Sequence, residues 1–205
     1  MEIAGTGFFV DQHGRFVTAG HVLSNWQEIS KTRHACGPAI YVPDKGWGDK
    51  FQNQIPFQYF NFIKCDIDSD ADLVLCEPIE NPLASHRITA AHIQPVTFAT
   101  AEVPEGTAIA FTGFPLEFTF PVTSKGYVAG KMALEKSETG FDYILDKASW
   151  PGASGSPVYL ANGRVIGLIQ KGGVNVGSGL AYAKCSSVIT KFLANHPYVT
   201  PTKGK

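Results

Sequence analysis

Short apolar runs separated by turn-forming residues constrain this chain more than any other feature of its sequence. Gly5 to Val10 and Arg15 to Ala19 flank the polar stretch Asp11 to Gly14, a pattern typical of a β-hairpin. Glycine (21 residues) and proline (13 residues) are spread along all 205 positions, which suits many short strands joined by tight turns. The sequence therefore predicts an all-β fold, as one large domain or two small barrels.

Six further runs with the same pattern follow in the second half of the chain. They are Thr107 to Gly113, Val122 to Met132, Phe141 to Asp146, Val158 to Leu160, Arg164 to Gln170 and Gly179 to Lys184. The pair Asn162-Gly163 between two of these runs is a strong signal for a two-residue hairpin. Ser186 to Asn195 is the one segment with a helical apolar face, with Ser186 or Ser187 expected as its cap.

The first half is harder to divide into elements. Residues 24 to 54 are polar and irregular, which predicts a surface excursion with one short strand at Ala39 to Val42. Gln54 to Ile63 predicts another strand. The segment Ile79 to Pro95 lacks periodicity and predicts a linker, so we expect a first barrel over 1–95 and a second over 96–205 that ends in the helix.

Composition excludes several classes of protein. Apolar residues make up 44% and charged residues 17%, which indicates a globular chain rather than a disordered one. The net charge is −1 and no basic cluster contains interleaved aromatics, so we expect no nucleic-acid partner. No apolar run is long enough to span a membrane, and no signal peptide is visible. A cytoplasmic location is the default expectation, with export if the chain is a mature or truncated form.

Neither the cysteines nor the acidic residues predict a bound metal. The four cysteines are irregularly spaced without a CxxC pair, so we expect no zinc site and no disulfide framework, with Cys76 as a small buried residue. The alternating acids from Asp66 to Asp72 suggest a calcium loop, but the position that requires glycine holds Ala71. The sequence predicts no metal and no cofactor.

The stretch from Pro151 to Pro157 is a candidate catalytic turn. Ser154 lies between glycines, which permit backbone conformations closed to other residues and a close approach of substrate. The N–H groups of Gly152 and Ser154 are candidates for an oxyanion hole, with the Ser154 hydroxyl as nucleophile. By itself the motif is more typical of an ordinary glycine–serine–proline turn.

A histidine and an acid precede this turn in suggestive places. His21 ends a buried strand, although a single histidine there is more often a core residue. Asp72 leads the apolar run Leu73 to Leu75. The order His21, Asp72, Ser154 excludes the α/β-hydrolase arrangement, because no acid follows Ser154. Asp70 is an alternative acid, but another acid and not a buried strand follows it.

With these segments in order, the chain resembles the chymotrypsin-like (trypsin-like) serine proteases, nearest to the HtrA-type and related bacterial trypsin-like domains. The segments that carry the resemblance are GTGFFVDQHGRFVTAGHVL, ADLVL, GFPLEFTFPVTSKGYVAGK, DKASWPGASGSPVYLANGRVIGLI and GSGLAYAKCSSVI. The resemblance implies two antiparallel barrels with the site in the cleft between them, and peptide-bond hydrolysis through an acyl-enzyme. It implies His21 as general base, Asp72 as orienting acid and Ser154 as nucleophile, with Gly152 and Ser154 forming the oxyanion hole.

Two departures from the family pattern qualify this interpretation. Ala153 stands where digestive members have an aspartate that receives a new N-terminus, so activation by that salt bridge is not available. The family also has a strand before the one that matches Gly5 to Val10. The first barrel would need an earlier piece of chain, or another segment within 37 to 60, to close it.

The resemblance also implies a substrate pocket lined by Ala148, Gly172 and Gly179. None of these residues is charged, so the pocket predicts a protein or peptide substrate with an apolar residue before the scissile bond. Lys171 lies close in sequence and keeps a preference for acidic residues as an alternative. A catalytically silent relative that binds peptides in the same cleft is the alternative function.

Overall fold

The computed structural model describes residues 3–32, 37–41, 57–84, 93–133, 140–172 and 179–199. Within these ranges the chain is mostly β-structure. The strands are β1 (Phe8–Phe9), β2 (Phe16–Ala19), β3 (Ala39–Tyr41), β4 (Phe57–Tyr59), β5 (Phe62–Asp68), β6 (Leu73–Pro78), β7 (Ala108–Gly113), β8 (Val122–Ala133), β9 (Phe141–Leu145), β10 (Pro157–Tyr159), β11 (Val165–Gly172) and β12 (Ala181–Cys185). The helices are α1 (Gly20–Thr32) and α2 (Ser186–Asn195).

The second half forms a closed barrel in the order β10-β11-β12-β9-β8-β7, in which β7 also pairs with β10. All pairs in this barrel are antiparallel. Inward-facing apolar side chains such as Val128, Leu145 and Ile166 fill it and are almost fully buried. The all-β prediction is confirmed here, because the six predicted strands are present with ends that differ by at most two residues.

The described strands of the first half form an open arrangement. One antiparallel sheet has the order β1-β2-β6-β5, and β3 and β4 form a separate two-stranded sheet. The predicted hairpin over the first twenty residues is present as β1 and β2. Within the described residues the two sheets do not join into a ring. Of the predicted linker Ile79 to Pro95, positions 85–92 lie outside the described residues.

Helix α1 corrects the expectation of an irregular surface excursion after residue 23. Leu23 and Trp26 are three positions apart, so they share one face of the helix. Leu23 packs with Val74 and Cys76 of β6, and the Trp26 ring meets Phe62 of β5 edge-on at 5.5 Å. This burial stabilises a segment whose remaining positions are largely polar and exposed.

The cysteines correct a second expectation. Cys65 and Cys76 form a disulfide between β5 and β6, where they stand directly opposite each other. Cys76 is therefore buried as predicted but is not a free thiol. Cys185 is free and buried, and Cys36 lies outside the described residues.

Helix α2 has the predicted bounds and joins the two halves. Ile189 and Phe192 pack in one hydrophobic cluster with Phe8 and Val17 of the first half and Leu168 of the second. The shared cluster fixes the position of the first sheet against the barrel. The expected serine cap is wrong, since Cys185 occupies the cap position and no side chain caps the helix.

No described helix has the length and apolar character that a membrane span requires.

Candidate active site

His21 and Asp72 are brought together by two neighbouring strands of the first sheet. His21 is the second residue of α1, directly after β2, and Asp72 ends the turn between β5 and β6. His21 Nδ1 lies 2.8 Å from Asp72 Oδ2, and the His21 backbone N–H donates to Asp72 Oδ1 at 2.8 Å. Both oxygens of the carboxylate are therefore used to hold one residue.

This contact determines the tautomer of the histidine. A carboxylate accepts hydrogen bonds only, so in the neutral imidazole Nδ1 of His21 carries the proton and Nε2 has the lone pair. About a third of each side chain is exposed, 38% for His21 and 35% for Asp72. The lone pair of Nε2 can therefore accept a proton from a group in the cleft.

The backbone of Asp72 adopts a left-handed conformation with a φ of 53°. Aspartate tolerates this region better than most residues, at a cost of about 1–2 kcal/mol. The Asp72 carbonyl accepts from Gly20 N–H at 2.9 Å and from Gln170 Nε2 at 3.0 Å. These two bonds hold the strained residue in place from both halves of the molecule.

Ser154 lies in the loop between β9 and β10, and Thr6 of the first half holds this loop. Thr6 N–H donates to the Ser154 carbonyl at 2.8 Å, and Thr6 Oγ1 donates to the Gly152 carbonyl at 2.8 Å. Glycine is required at position 155, where φ is 86° and a Cβ would overlap the Thr6 carbonyl oxygen. No sequence pattern predicts this role of Thr6, which depends on its approach to a residue 146 positions away.

The peptide between Pro151 and Gly152 is oriented by one hydrogen bond. Leu116 N–H donates to the Pro151 carbonyl at 2.8 Å. Because a trans peptide is planar, the Gly152 N–H points away from Leu116. Among the described residues neither the Gly152 nor the Ser154 N–H has a hydrogen-bond acceptor. The two predicted oxyanion donors are therefore both available to a ligand.

The Ser154 hydroxyl does not bond to His21. It donates to the Gln170 carbonyl at 3.1 Å, and no hydrogen bond joins it to His21 within the described part of the chain. The structure brings His21 and Asp72 into contact, and it turns the Ser154 hydroxyl toward β11.

Gln170 is a second residue of the site that sequence reasoning missed. Its side chain is buried, with 6% exposed, and its amide donates to the carbonyls of Asp72 at 3.0 Å and Ala71 at 3.4 Å. Both partners are acceptors, which assigns the amide nitrogen to this position. A buried amide in an apolar strand was the available signal, because such a group requires partners.

The three predicted pocket residues lie at one end of the barrel. Ala181 at the start of β12 pairs with Gly172 on one side and with Leu145 on the other. Gly179 lies two residues before Ala181, and Ala148 lies three residues after Leu145. Among the described residues, no atom lies within 4 Å of the place where a Cβ at Gly179 would be.

The acidic stretch before Asp72 forms a turn. Asp68 Oδ1 accepts from the Ala71 N–H at 2.9 Å, and Lys64 lies 3.8 Å from Asp66. In the described ranges no three acids, histidines or cysteines are grouped as metal ligands would be.

The fold combines a closed antiparallel barrel with a second antiparallel sheet that carries a histidine–carboxylate pair, and it places a serine in a glycine turn. These features together define the class of trypsin-like serine proteases. The chain belongs to the trypsin-like peptidase family, since the model of the trypsin-like peptidase domain matches residues 5–168. The matched range contains His21, Asp72 and Ser154. The comparison with curated proteins gives no match.

Solved structures share this fold at low sequence identity. The active form of the Rv3671c protease from M. tuberculosis gives a TM-score of 0.66 at 16% identity, covering 97% of this chain and 75% of that chain. An inactive form of Rv3671c from M. tuberculosis H37Rv, a serine-to-alanine mutant, gives 0.67 at 15% identity, with 95% and 84% covered. At such identities the likeness establishes the fold.

Proposed function

We propose that the protein is a serine endopeptidase that cleaves peptide bonds through an acyl-enzyme. Ser154 is the nucleophile, His21 the general base and Asp72 the acid that orients it. The observation that carries the proposal is the contact between His21 Nδ1 and Asp72 Oδ2 at 2.8 Å, which leaves Nε2 free to accept a proton. The serine protease family of the chain supports these assignments.

The Ser154 hydroxyl must change rotamer before it can react. It gives up its bond to the Gln170 carbonyl, a neutral bond with a net value of about 0.5–1.5 kcal/mol. A cost of this size leaves roughly 7–30% of molecules in other rotamers. It is small beside the barrier reduction of about 8–23 kcal/mol that enzymes achieve. The observed rotamer is therefore compatible with an active enzyme.

The oxyanion would be stabilised by the backbone donors of Gly152 and Ser154. Removing one such donor costs about 10²–10³ in kcat in serine proteases. The Leu116–Pro151 bond fixes the peptide that carries the Gly152 donor, and Thr6 fixes the Gly152 carbonyl on its other side. A donor held from both sides needs little reorganisation as charge develops.

The substrate preference that we propose is for an apolar residue before the scissile bond. Ala148, Gly172 and Gly179 carry no charge that could pair with a lysine, arginine or glutamate side chain. The ammonium group of Lys171, which directly precedes Gly172, lies 5.9 Å from the centroid of the Tyr182 ring. This cation–π contact favours a position outside the pocket and argues against the alternative of an acidic preference.

Labelling with a fluorophosphonate probe tests the nucleophile, and a peptide library then tests the preference. Wild type and the control Ser30→Ala should label equally, since Ser30 lies on the exposed face of α1. Ser154→Ala should not label. Equal labelling of Ser154→Ala would refute the assignment of Ser154 as the nucleophile. Cleavage mainly after charged residues would refute the proposed preference for an apolar residue before the scissile bond.

A silent peptide-binding module is the second candidate function. The one observation that favours it is that the Ser154 hydroxyl donates its hydrogen bond to the Gln170 carbonyl and not to His21. Peptide binding by the purified protein without cleavage, even at high protein concentration, would establish this alternative.

A further inference from the structure

A buried threonine hydroxyl lies at the centre of the contacts around the predicted oxyanion donors. Thr6 is only 8% exposed, and its Oγ1 donates to the Gly152 carbonyl at 2.8 Å. The same oxygen accepts from the Phe114 N–H at 3.1 Å. A hydroxyl has one donor and two acceptor positions, so it can serve both partners at once. Thr6 Oγ1 therefore links the loop after β7 to the serine turn.

These two segments meet at the peptide that carries the Gly152 N–H. Leu116, in the loop after β7, donates to the Pro151 carbonyl on one side of Gly152. Thr6 bonds the Gly152 carbonyl on the other side. Because Phe114 lies two residues before Leu116, its bond to Thr6 also fixes the loop that supplies the first contact. The orientation of the Gly152 N–H thus depends on Thr6 by two routes.

A second buried threonine fixes Thr6 itself. Thr18 is 6% exposed, and its Oγ1 donates to the Thr6 carbonyl at 2.6 Å. Thr18 lies in β2, the strand that ends two residues before His21. A Cβ at Gly155 would overlap Thr18 Oγ1, so this hydroxyl also abuts the residue after Ser154. The strand that leads to the proposed base is therefore tied to the loop of the proposed nucleophile.

These contacts support a turn from which a charged support is missing. Ala153 cannot pair with a cation, whereas an aspartate at this position does so in the digestive members of the family. Ala153 is buried, and its N–H donates to the Trp150 carbonyl at 2.9 Å within the turn. Glycine at positions 152 and 155 leaves the backbone free to adopt several conformations. Other contacts must hold the donors in one orientation, and Thr6 makes two hydrogen bonds that reach this turn from the first half.

We propose that the Thr6 hydroxyl positions the oxyanion donor of Gly152, and that Thr18 supports Thr6 in this role. The inference rests on the proposed peptidase function and adds two positioning residues to its site. Thr6 acts through the Gly152 peptide and not on the reacting atoms. Because an oxyanion develops in both acylation and deacylation, loss of the hydroxyl slows both steps. Binding of the substrate in its ground state changes little.

Replacement of Thr6 by valine tests this proposal, because valine keeps the branched shape of threonine and removes the hydroxyl. The Gly152 carbonyl and the Phe114 N–H would lose their partner, so kcat should fall about 10- to 100-fold while KM stays within about threefold. Thr6→Ser keeps the hydroxyl and should retain at least about a third of the wild-type kcat. The control Thr107→Val removes a hydroxyl that bonds the Pro104 carbonyl at 2.6 Å at the other end of β7, and should keep kcat.

A peptide boronic acid distinguishes positioning of the donor from a general loss of stability. Its tetrahedral adduct with the serine places an oxygen where the oxyanion would lie, so it reports on the donors directly. Thr6→Val should raise its Ki by about the same factor as it lowers kcat/KM, and Thr6→Ser should restore the Ki. A lower kcat with an unchanged Ki would overturn the proposal, as would a kcat within twofold of wild type in correctly folded Thr6→Val.

Thr18→Val tests the supporting residue. It keeps the Thr6 hydroxyl and removes the bond to the Thr6 carbonyl, so kcat should fall less, about 3- to 10-fold. If both threonines act on the same turn, the double variant should lose less than the product of the two single losses. A double loss equal to that product would overturn the role of Thr18. If Thr6→Val does not fold, a wild-type kcat in Thr18→Val overturns the proposal.

Hydrogen exchange provides a measurement that does not depend on turnover. Mass spectrometry follows the amides of residues 150–157 in wild type, Thr6→Val and Thr6→Ser. Exchange should be faster in Thr6→Val alone, because the turn loses a contact that holds it. A wild type that is neither labelled by a fluorophosphonate nor active on peptides would refute the peptidase function. Faster exchange in Thr6→Val would then still support the role of Thr6 in holding the turn, and equal exchange in all three proteins would overturn it.

Discussion

Replacement of Gln170 by alanine tests how the acid of the proposed triad is positioned. The Gln170 amide is the one described side chain that bonds the carbonyls of both Ala71 and Asp72. It reaches from the second barrel to a turn in the first sheet, across 98 positions of the chain. Alanine removes the amide but keeps the Gln170 carbonyl that accepts from Ser154.

The expected effect follows from the bonds that are lost. The bond to Asp72 is short, whereas the bond to Ala71 at 3.4 Å is weak, so together they contribute about 1–2 kcal/mol. The Asp72 carbonyl keeps its bond to Gly20 N–H and is not left unpaired. If the loss falls on the orientation of the Asp72 carboxylate, kcat should fall about 5- to 30-fold with little change in KM, since about 1.36 kcal/mol corresponds to tenfold.

Steady-state kinetics on one peptide, with Gln27→Ala on the exposed face of α1 as control, measure this effect. Gln170→Glu adds a test that a merely structural role would not pass. Its carboxylate would face two carbonyl oxygens, whereas its protonated form can donate to one of them. The ratio of variant to wild-type kcat should therefore fall as pH rises. A Gln170→Ala enzyme with kcat within twofold of wild type, and only a lower Tm, would refute the reasoning.

Three further predictions concern the site and its surroundings. Asp72→Asn should lower kcat by about 10⁴ through the wrong histidine tautomer, and a larger loss in Asp70→Asn would show that the acid is misassigned. Gly152→Ala should lower kcat at least 10²-fold, because its Cβ would displace the Phe114 carbonyl, whereas Gly163→Ala, also at positive φ but in open space, should keep kcat. Ser156→Ala should leave the free energy of unfolding in urea unchanged or raise it by about 1–2 kcal/mol, since this buried hydroxyl has no described partner; a loss would contradict this.

The second barrel could be predicted from sequence because each of its strands is bounded by its own turn signal. Asn162-Gly163 marks the turn between β10 and β11, and α2 begins and ends at the predicted residues. Such local signals do not depend on how distant parts of the chain meet. For this reason the strand bounds were correct to within two residues even though no pairing was known.

The first half departs from prediction where tertiary contacts decide. Helix α1 has a narrow apolar face at Leu23 and Trp26, which becomes visible as a pattern only once β5 and β6 provide a surface to cover. The disulfide between Cys65 and Cys76 depends on the register of β5 and β6, in which the two residues are direct partners. Spacing along the chain contains no information on that register.

For the proposed site, too, part could be predicted from the sequence and part could not. His21 and Asp72 could be proposed from sequence because one follows and the other leads an apolar run, and Ser154 because it lies between glycines. Their supports could not, because Thr6 and Gln170 act on groups more than 90 positions away. The glutamine in an apolar strand signals only that its amide needs partners, and neither it nor the threonine shows from the local sequence which distant groups it binds.

These two supports run in opposite directions across the interface between the halves. Thr6 lies in the first half and holds the carbonyls of Gly152 and Ser154 in the second. Gln170 lies in the second half and holds the carbonyl of Asp72 in the first. Each half therefore completes the part of the site that the other half carries. A shift between the halves would disturb the proposed oxyanion donors and the proposed orienting acid at once, so we expect the packing that joins the halves to contribute to catalysis as well as to stability.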